Sequence, residues 1–282
     1  MNPPGCYLNG EFLPLDQAKI SVLDRGFIFG DAIYEVIPVY RRKPLRLAAH
    51  IARLQRSLGE IRIPFPLSEG EWSGLIDELI AGNDGDDQAI YLQVSRGVAK
   101  REFGLMQGIE PTVLMLSTPF VPPPKQQIDN GIRAVSLPDF RWLRCDIKST
   151  SLLGANMLRQ FANDAGGAEC VLFRDGYLTE GSSSNIFLVK NGTLMAPPKS
   201  QLILPGITYD LLLELAVENA VPTEVRTIPE SEVKTADELM LSASLREFLA
   251  ITELDGKPVG GGKPGPIFQR LYGLFQAYKA ML

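Results

Sequence analysis

The sequence predicts a two-domain protein of the α+β or α/β class, with mixed sheets and helices, and three observations predict it. The chain has 282 residues, about two domains at ~150 residues each. Apolar runs of strand length alternate irregularly with helical periodicities, without a repeating βαβ order. Pro119, Pro122, Pro123 and Pro124, followed by Asp129-Asn130-Gly131, form a stiff stretch that suits a boundary. The expected division is a smaller α/β domain at 1–120, a Pro-rich linker at 121–130 and a larger domain at 131–282.

Each element has a local cause. Tyr7 to Pro14 reads as a hairpin on Asn9-Gly10, because Asn-Gly accepts the positive φ angles of a tight turn. Ala32 to Tyr40 is strand-like, and Pro38 suits an edge or a bulge. Ala48 to Ile61 is helical, since Ile51, Leu54, Leu58 and Ile61 recur at spacings of three and four. Ser68 and Glu71 make a capping-box pattern before a helix carrying Trp72, Leu75, Ile76 and Leu79. Strands follow at Ala89–Ser95 and Thr112–Ser117.

In the second half, Ile132 to Leu137 reads as a strand. Thr150 to Ala165 reads as a helix that Gly166-Gly167 terminates. Short strands then alternate with turns at Asp175-Gly176 and Asn191-Gly192. Tyr209 to Asn219 is a nearly all-apolar, hence buried, helix. Val225–Ile228, Glu238–Ser242 and Leu249–Leu254 complete the strands. Pro266 to Leu282 closes the chain as an amphipathic helix with Ile267, Leu271, Leu274 and Tyr278 on one face.

Composition removes many functions. Lys plus Arg is 28 and Asp plus Glu 33, a net charge of −5, so there is no general field for nucleic acid or an anionic membrane. The longest uncharged run, Pro111 to Pro124, has 14 residues and five prolines, which is no membrane span. Met1 to Leu15 lacks the basic and apolar regions of a secretory signal. Cys6, Cys145 and Cys170 are widely spaced, which suits free thiols, and the expected location is cytoplasmic. His50 is the only histidine, which excludes His-rich metal sites and the HExxH helix. No G-x-S-x-G elbow accompanies it. Gly260-Gly261-Gly262-Lys263 runs into Pro264, where a phosphate-binding loop needs Ser or Thr. Catalysis therefore rests on Lys, Arg, Tyr, Glu and Ser, or on an organic cofactor.

Four segments carry such residues, besides a basic cluster (Arg41, Arg42, Lys43, Arg46, Arg53, Arg56, Arg62) of which one member could serve a bound anion. Leu204-Pro205-Gly206-Ile207-Thr208 places a glycine and a hydroxyl before the apolar helix. Either Thr208 merely caps that helix, or the unpaired N–H groups there bind a phosphate. Ser242-Ala243-Ser244 ends a strand and offers further hydroxyls. Thr179-Glu180-Gly181-Ser182-Ser183-Ser184-Asn185 is a polar turn holding a carboxylate. Arg141-Trp142-Leu143-Arg144-Cys145-Asp146-Ile147-Lys148-Ser149 holds a lysine near two arginines, and neighbouring cations favour a neutral, nucleophilic amine.

RWLRCDIKS, followed by LLGAN, TEGSSSNIF and LPGIT, resembles the class IV fold (fold type IV) of pyridoxal 5′-phosphate (PLP) enzymes, and within it the D-amino acid transaminases. The similarity runs from YLNGEF through DRGFIFGDAIYEV, HIARL and VSRGV to SASLREF, nearly the whole chain. It implies a PLP-binding C-terminal domain. It also implies that Lys148 carries PLP as a Schiff base and shuttles the proton between substrate Cα and cofactor C4′. Glu180 would pair with the pyridine nitrogen. Arg53, Ile207, Thr208 and Ser244 would hold the phosphate, with Ser183 also at the cofactor. Tyr34 and Arg101 would bind substrate, Arg101 coming from the second subunit of a homodimer. Glu35 and His50 would support Arg53.

Three positions depart from that pattern. Phe103 stands where the D-specific members pair the arginine with a histidine, Tyr209 follows LPGIT where a basic residue is usual, and Ala196 replaces a threonine. The resemblance implies transamination between a D-amino acid and a 2-oxo acid by a ping-pong mechanism. A branched-chain L-aminotransferase, an aminodeoxychorismate lyase and a non-catalytic PLP-binding protein are the alternatives. Phe103 removes one hydrogen bond from the carboxylate site, which favours larger, less polar substrates.

Overall fold

The computed structural model describes residues 5–282, which form two compact units. The first holds the chain up to Val121, together with Ile147–Ser151 and the terminal Leu282; the second holds Pro122–Asp146 and Leu152–Met281.

In the first unit, β1 (Cys6–Leu8) and β2 (Glu11–Leu13) form a hairpin whose turn residues Asn9 and Gly10 have φ of 48° and 102°. A short helix, α1 (Arg25–Phe29), leads into β3 (Ala32–Tyr40) and β4 (Lys43–Pro44). Helices α2 (Leu47–Glu60) and α3 (Glu69–Gly82) precede β5 (Gln88–Ser95) and β6 (Thr112–Pro119). The strands make one sheet in the order β2-β1-β6-β5-β3-β4. Pro38 lies where β3 has β5 on one side and only the short β4 near its other edge, so its missing N–H costs the ladder nothing. Ile51, Leu54 and Leu58 of α2 and Trp72, Ile76 and Leu79 of α3 pack with Ile33, Ile37 and Val39 of β3 to form the core. Ser68 and Glu71 close the capping box at the start of α3.

Helix α1 has no counterpart in the sequence reading. It is five residues long, too short to display a period, and is held instead by its ends. Asp24 accepts from Gly26 N at 2.8 Å, and Gly30 closes the helix at φ 64°.

In the second unit, α4 (Lys125–Asn130) replaces most of the extended linker, entered from Pro124 and ended by Gly131 at φ 74°. Then follow β7 (Ile132–Pro138), α5 (Leu153–Asp164), β8 (Glu169–Arg174), β9 (Tyr177–Leu178), β10 (Asn185–Lys190) and β11 (Thr193–Ala196). Next come α6 (Ile207–Glu218), β12 (Thr223–Val225), α7 (Glu230–Val233), β13 (Glu238–Ala243), β14 (Glu247–Leu254), β15 (Lys257–Pro258) and α8 (Pro266–Ala280). The sheet order is β12-β11-β10-β13-β14-β7-β8-β9, with β15 on β14. Parallel pairs (β14–β7, β7–β8, β11–β12) mix with antiparallel ones.

Three expectations shift. α5 starts at Leu153, not Thr150, because Thr150 N donates to Ala32 O at 3.0 Å and so belongs to the β3 edge. The strand expected at Val225–Ile228 lies at Thr223–Val225, where pairing with Leu194–Ala196 sets its register. α8 buries Phe268, Leu271 and Phe275, so the expected face is rotated by about one residue. Among the described residues, no helix is long and apolar enough to cross a membrane.

Candidate active site

In the first unit, Lys148 is fixed through its backbone. Tyr34 N donates to Lys148 O at 3.0 Å, and Ile33 and Ser149 form an antiparallel bridge, so residues 148–150 lie along the start of β3. The Lys148 Nζ sits 4.2 Å from the Tyr34 ring centroid, within cation–π range. That ring stacks on Tyr91 at 5.7 Å, and Tyr91 donates to Gln93 Oε1 at 2.6 Å. Burial pushes the Tyr91 phenol up to about 12, so it remains a donor.

Strand alternation turns Glu35, the neighbour of Tyr34, to the opposite face and into the core. There α2 presents His50 and Arg53, one helical turn apart. Arg53 donates from Nε to Oε1 and from Nη2 to Oε2 of Glu35, both at 2.7 Å, and His50 Nδ1 lies 2.8 Å from Oε2. Burial works to raise the Glu35 carboxyl, but the Arg53 charge and the hydrogen bonds from Arg53 and His50 outweigh it. Glu35 is held well below the usual carboxylate range. Burial lowers His50, against the pull of Glu35 and with the help of Arg53 and Lys148. An ionised Glu35 only accepts, so a neutral His50 carries its proton on Nδ1. Its Nε2 is buried without a partner among the described residues.

Arg101 and Phe103 lie on the exposed connection between β5 and β6. The Arg101 guanidinium is 5.5 Å from the Phe29 ring centroid and 5.9 Å from that of Phe103.

In the second unit, Glu180 is buried at the turn after β9. Its Oε1 accepts from Arg141 Nη1 at 2.6 Å, and its Oε2 accepts from Asn185 Nδ2 at 3.1 Å and Leu204 N at 3.0 Å. Arg141 also forks onto Asp139, at 2.9 and 2.8 Å. Asp139 takes further donors from Thr179 at 2.9 Å and Arg174 at 3.1 Å. Burial pushes the Glu180 carboxyl up to about 7, while Arg141 and the Leu204 N–H pull it back. A carboxylate has about four lone-pair positions, so three donors leave room for one more cationic N–H.

Asn185 also donates to Leu204 O at 2.9 Å, which ties the TEGSSSN turn to the LPGIT segment. The residue before α6 is Gly206, in extended conformation and with no side-chain cap, while Thr208 is the second residue of the helix. Thr208 is therefore not the cap. A Cβ on Gly206 would come within 2.1 Å of Asn185 Oδ1, so only glycine fits there. Its bare entry leaves the first N–H groups of α6 to an external acceptor.

Ser244 is half-buried in the β13–β14 turn, and the neighbouring Ser242 Oγ is buried without a partner among the described residues. Ser183 is exposed and accepts from Arg159 at 3.0 Å. Its neighbours Ser182 and Ser184 turn inward to donate to Glu169, at 2.6 and 2.8 Å. Among the described residues no cluster of metal-ligating side chains occurs. A buried carboxyl with an acceptor position to spare, beside an open helix N-terminus, is the donor and acceptor set that a cationic pyridine ring bearing a phosphate requires, so these residues fit PLP.

The profile of the class IV amino-transferase family matches residues 32–254. The chain belongs to the class IV aminotransferases. It is 39% identical to a D-alanine aminotransferase of Bacillus licheniformis over 92% of this chain and 91% of that one. It is 37% identical to a D-alanine aminotransferase of Staphylococcus aureus over 96% of each chain. Its fold is similar to that of the Escherichia coli branched-chain amino acid aminotransferase, with a TM-score of 0.90, 25% identity and coverage of 97% and 95%.

Two partners of the candidate residues of this aminotransferase are weakly marked in the sequence. In the sequence Arg141 is only a cation near Lys148; in the fold its charge is taken up by Glu180 and Asp139, and that of Arg144 by Asp146. The one local signal was Asp139-x-Arg141, whose alternate residues share a side in extended chain. Asn185 stands in the sequence only as the last residue of the TEGSSSN turn.

Proposed function

We propose that this class IV aminotransferase uses PLP to move the amino group of a D-amino acid to a 2-oxo acid, in two ping-pong half-reactions. The observation that carries this reading is the 39% identity to a D-alanine aminotransferase across nearly the whole of both chains. Class IV aminotransferases are PLP enzymes, and the bound cofactor supplies an electron sink for the carbanion that forms at substrate Cα.

The residues divide the remaining work. Lys148 attaches the cofactor, and its Nζ takes and returns the Cα proton; the Tyr34 ring beneath it limits where the amine can move. Glu180, oriented by Arg141, Asn185 and the Leu204 N–H, offers its anionic oxygen to the pyridine nitrogen and keeps that nitrogen protonated. Ile207 and Thr208, at the uncapped start of α6, bind the phosphate with Arg53 and Ser244, and Ser183 lies at the cofactor. Arg53, clamped by Glu35, presents a fixed cation. Tyr34 binds the substrate held in its own subunit, and Arg101 binds the carboxylate of the substrate in the other subunit, where Phe103 sets the polarity beside it.

The protein acts as a homodimer in which Arg101 serves the partner's substrate. Exposed apolar residues support this: Val22, Leu23 and Phe27 precede β3, and Val98, Phe103 and Leu105 follow β5. Backbone bonds from Arg25 N to Gly97 O and from Ala99 N to Leu23 O join the two segments. Three buried free cysteines are compatible with a reducing cytoplasm.

The test is to mix the PLP-loaded protein with D-alanine, L-alanine and L-leucine separately and follow the visible spectrum of the cofactor. Loss of the visible band with D-alanine alone supports the reading. Loss with L-leucine alone replaces it with branched-chain L-amino acid transamination.

A further inference from the structure

We propose that Arg25 is the positioning residue of the substrate-carboxylate loop: by gripping the backbone on either side of Phe103, it fixes Arg101 where it binds substrate. The inference rests on the reading of Arg101 given above and adds to it the residue on which that loop depends.

The Arg25 side chain is buried, and each of its three guanidinium nitrogens donates a hydrogen bond. Nε donates to Asp31 Oδ2 at 2.8 Å, Nη1 to Glu102 O at 2.8 Å and Nη2 to Gly104 O at 2.9 Å. The two carbonyls flank Phe103. Charge-assisted bonds of this geometry are stronger than neutral ones. The loop has little else to hold it: residues 101–108 form no strand or helix, most are exposed, and Gly104 and Gly108 lie at φ 103° and 72°.

Arg25 is in turn anchored to the core. It sits in α1, and Asp31 is shared with Arg96, whose Nε and Nη2 donate to it at 2.7 and 3.0 Å. Arg96 reaches on to Ile61 O and Arg62 O at the end of α2. Burial works to raise the Asp31 carboxyl, but Arg96 and Arg25 outweigh it and keep it ionised. A chain of directional bonds thus runs from the α2 terminus to the loop.

The aromatic rings complete the device. Phe29 has the Arg25 guanidinium 4.7 Å from its centroid and that of Arg101 at 5.5 Å. Phe103, held by the grip on its neighbours, lies 5.8 Å from Phe29. Arg101 therefore rests on two ring faces, and among the described residues it has no carboxylate partner. A cation seated on rings and lacking a counterion is prepared for an incoming carboxylate.

The experiment compares PLP-loaded wild type, Arg25→Gln, Arg25→Lys and Arg101→Gln. Steady-state kinetics with D-alanine and a 2-oxo acid are combined with limited trypsin cleavage after Lys100 and Arg101. Arg25→Gln should raise the KM for both substrates about tenfold or more, as Arg101→Gln does, with a much smaller change in kcat. Its visible cofactor absorbance should match wild type, and cleavage at Lys100 should accelerate about tenfold. Arg25→Lys keeps the charge but cannot grip both carbonyls, so it should fall between the two, and it carries the test if Arg25→Gln does not fold.

If Arg101→Gln raises KM while the Arg25 variants keep wild-type KM and cleavage, Arg25 does not position the loop and this proposal alone fails. If Arg101→Gln leaves KM unchanged, the reading of Arg101 fails and the carboxylate role assigned to Arg25 goes with it. Equal losses of kcat, absorbance and KM in the Arg25 variants mark a general structural role and also overturn the proposal.

Discussion

Replacing Arg141 with methionine removes the cation that holds the Glu180 carboxyl down against burial. The guanidinium and the carboxylate are in direct contact, at 2.6 Å, with both side chains largely buried. Two unit charges about 4 Å apart between centres attract by about 4 kcal/mol at an effective dielectric of ~20. At ~1.4 kcal/mol per pKa unit, that is about three units of support for the ionised form. Glu180 already stands at about 7 with Arg141 in place, so its loss leaves the carboxyl protonated at neutral pH. A neutral acid cannot keep the pyridine nitrogen charged.

The expected result is a fall in kcat of about 100-fold or more at pH 7.5, with activity partly recovered as the pH approaches 9. In wild type, the anionic form prevails above the Glu180 pKa, so kcat should decline as the pH falls through about 7 and below. A pyridinium beside Glu180 draws that inflection lower in the loaded enzyme. The assay is the pH profile of kcat with D-alanine, at cofactor occupancy checked by absorbance. Arg141→Lys, which restores a cation without the fork, should regain part of the loss. Wild-type kcat and an unshifted pH profile in Arg141→Met would refute the assignment of Arg141 as the support of Glu180.

Lys148→Ala should fold, abolish transamination and leave borohydride reduction without a protein-bound pyridoxyl label; in wild type, peptide mapping should find that label on Lys148 alone. Phe103→His should lower the KM for D-alanine by about tenfold to 100-fold through one regained hydrogen bond to a charged group, with PLP affinity unchanged. The wild type should, for the same reason, accept some primary amines lacking a carboxylate, measured by acceptor-dependent amine consumption. Folding stability should fall on acidification in two stages. His50 is lowered in the fold, so the unfolded chain takes up its proton first and stability declines as the pH drops below ~6.5. Glu35 is depressed, so its contribution is complete above the ordinary carboxyl range and is lost as the pH falls toward its folded value. Urea denaturation across pH 3–8 measures both, and Glu35→Gln should flatten the more acidic stage.

Much of this protein was legible in the sequence because the signals are local. The Asn9-Gly10 and Asn191-Gly192 turns adopt the positive φ angles that those residue types tolerate. The periods of α2 and α3 and the Ser68–Glu71 capping box need only residues within one or two turns. The motifs that resemble class IV enzymes are likewise contiguous, which is why the family is legible in the sequence. Tertiary structure decided what contiguity cannot. Helix α1 is too short for a period and exists through its caps, while Thr208 yields the capping position to Gly206, whose extended conformation starts α6. The partners of the candidate residues are remote: Arg141 meets Glu180 across 39 positions, Arg53 meets Glu35 across 18, and Arg25 reaches Glu102 and Gly104 across 77 and 79. A buried charge takes whichever opposite charge the fold brings within hydrogen-bonding reach. Residue type shows only that it needs one.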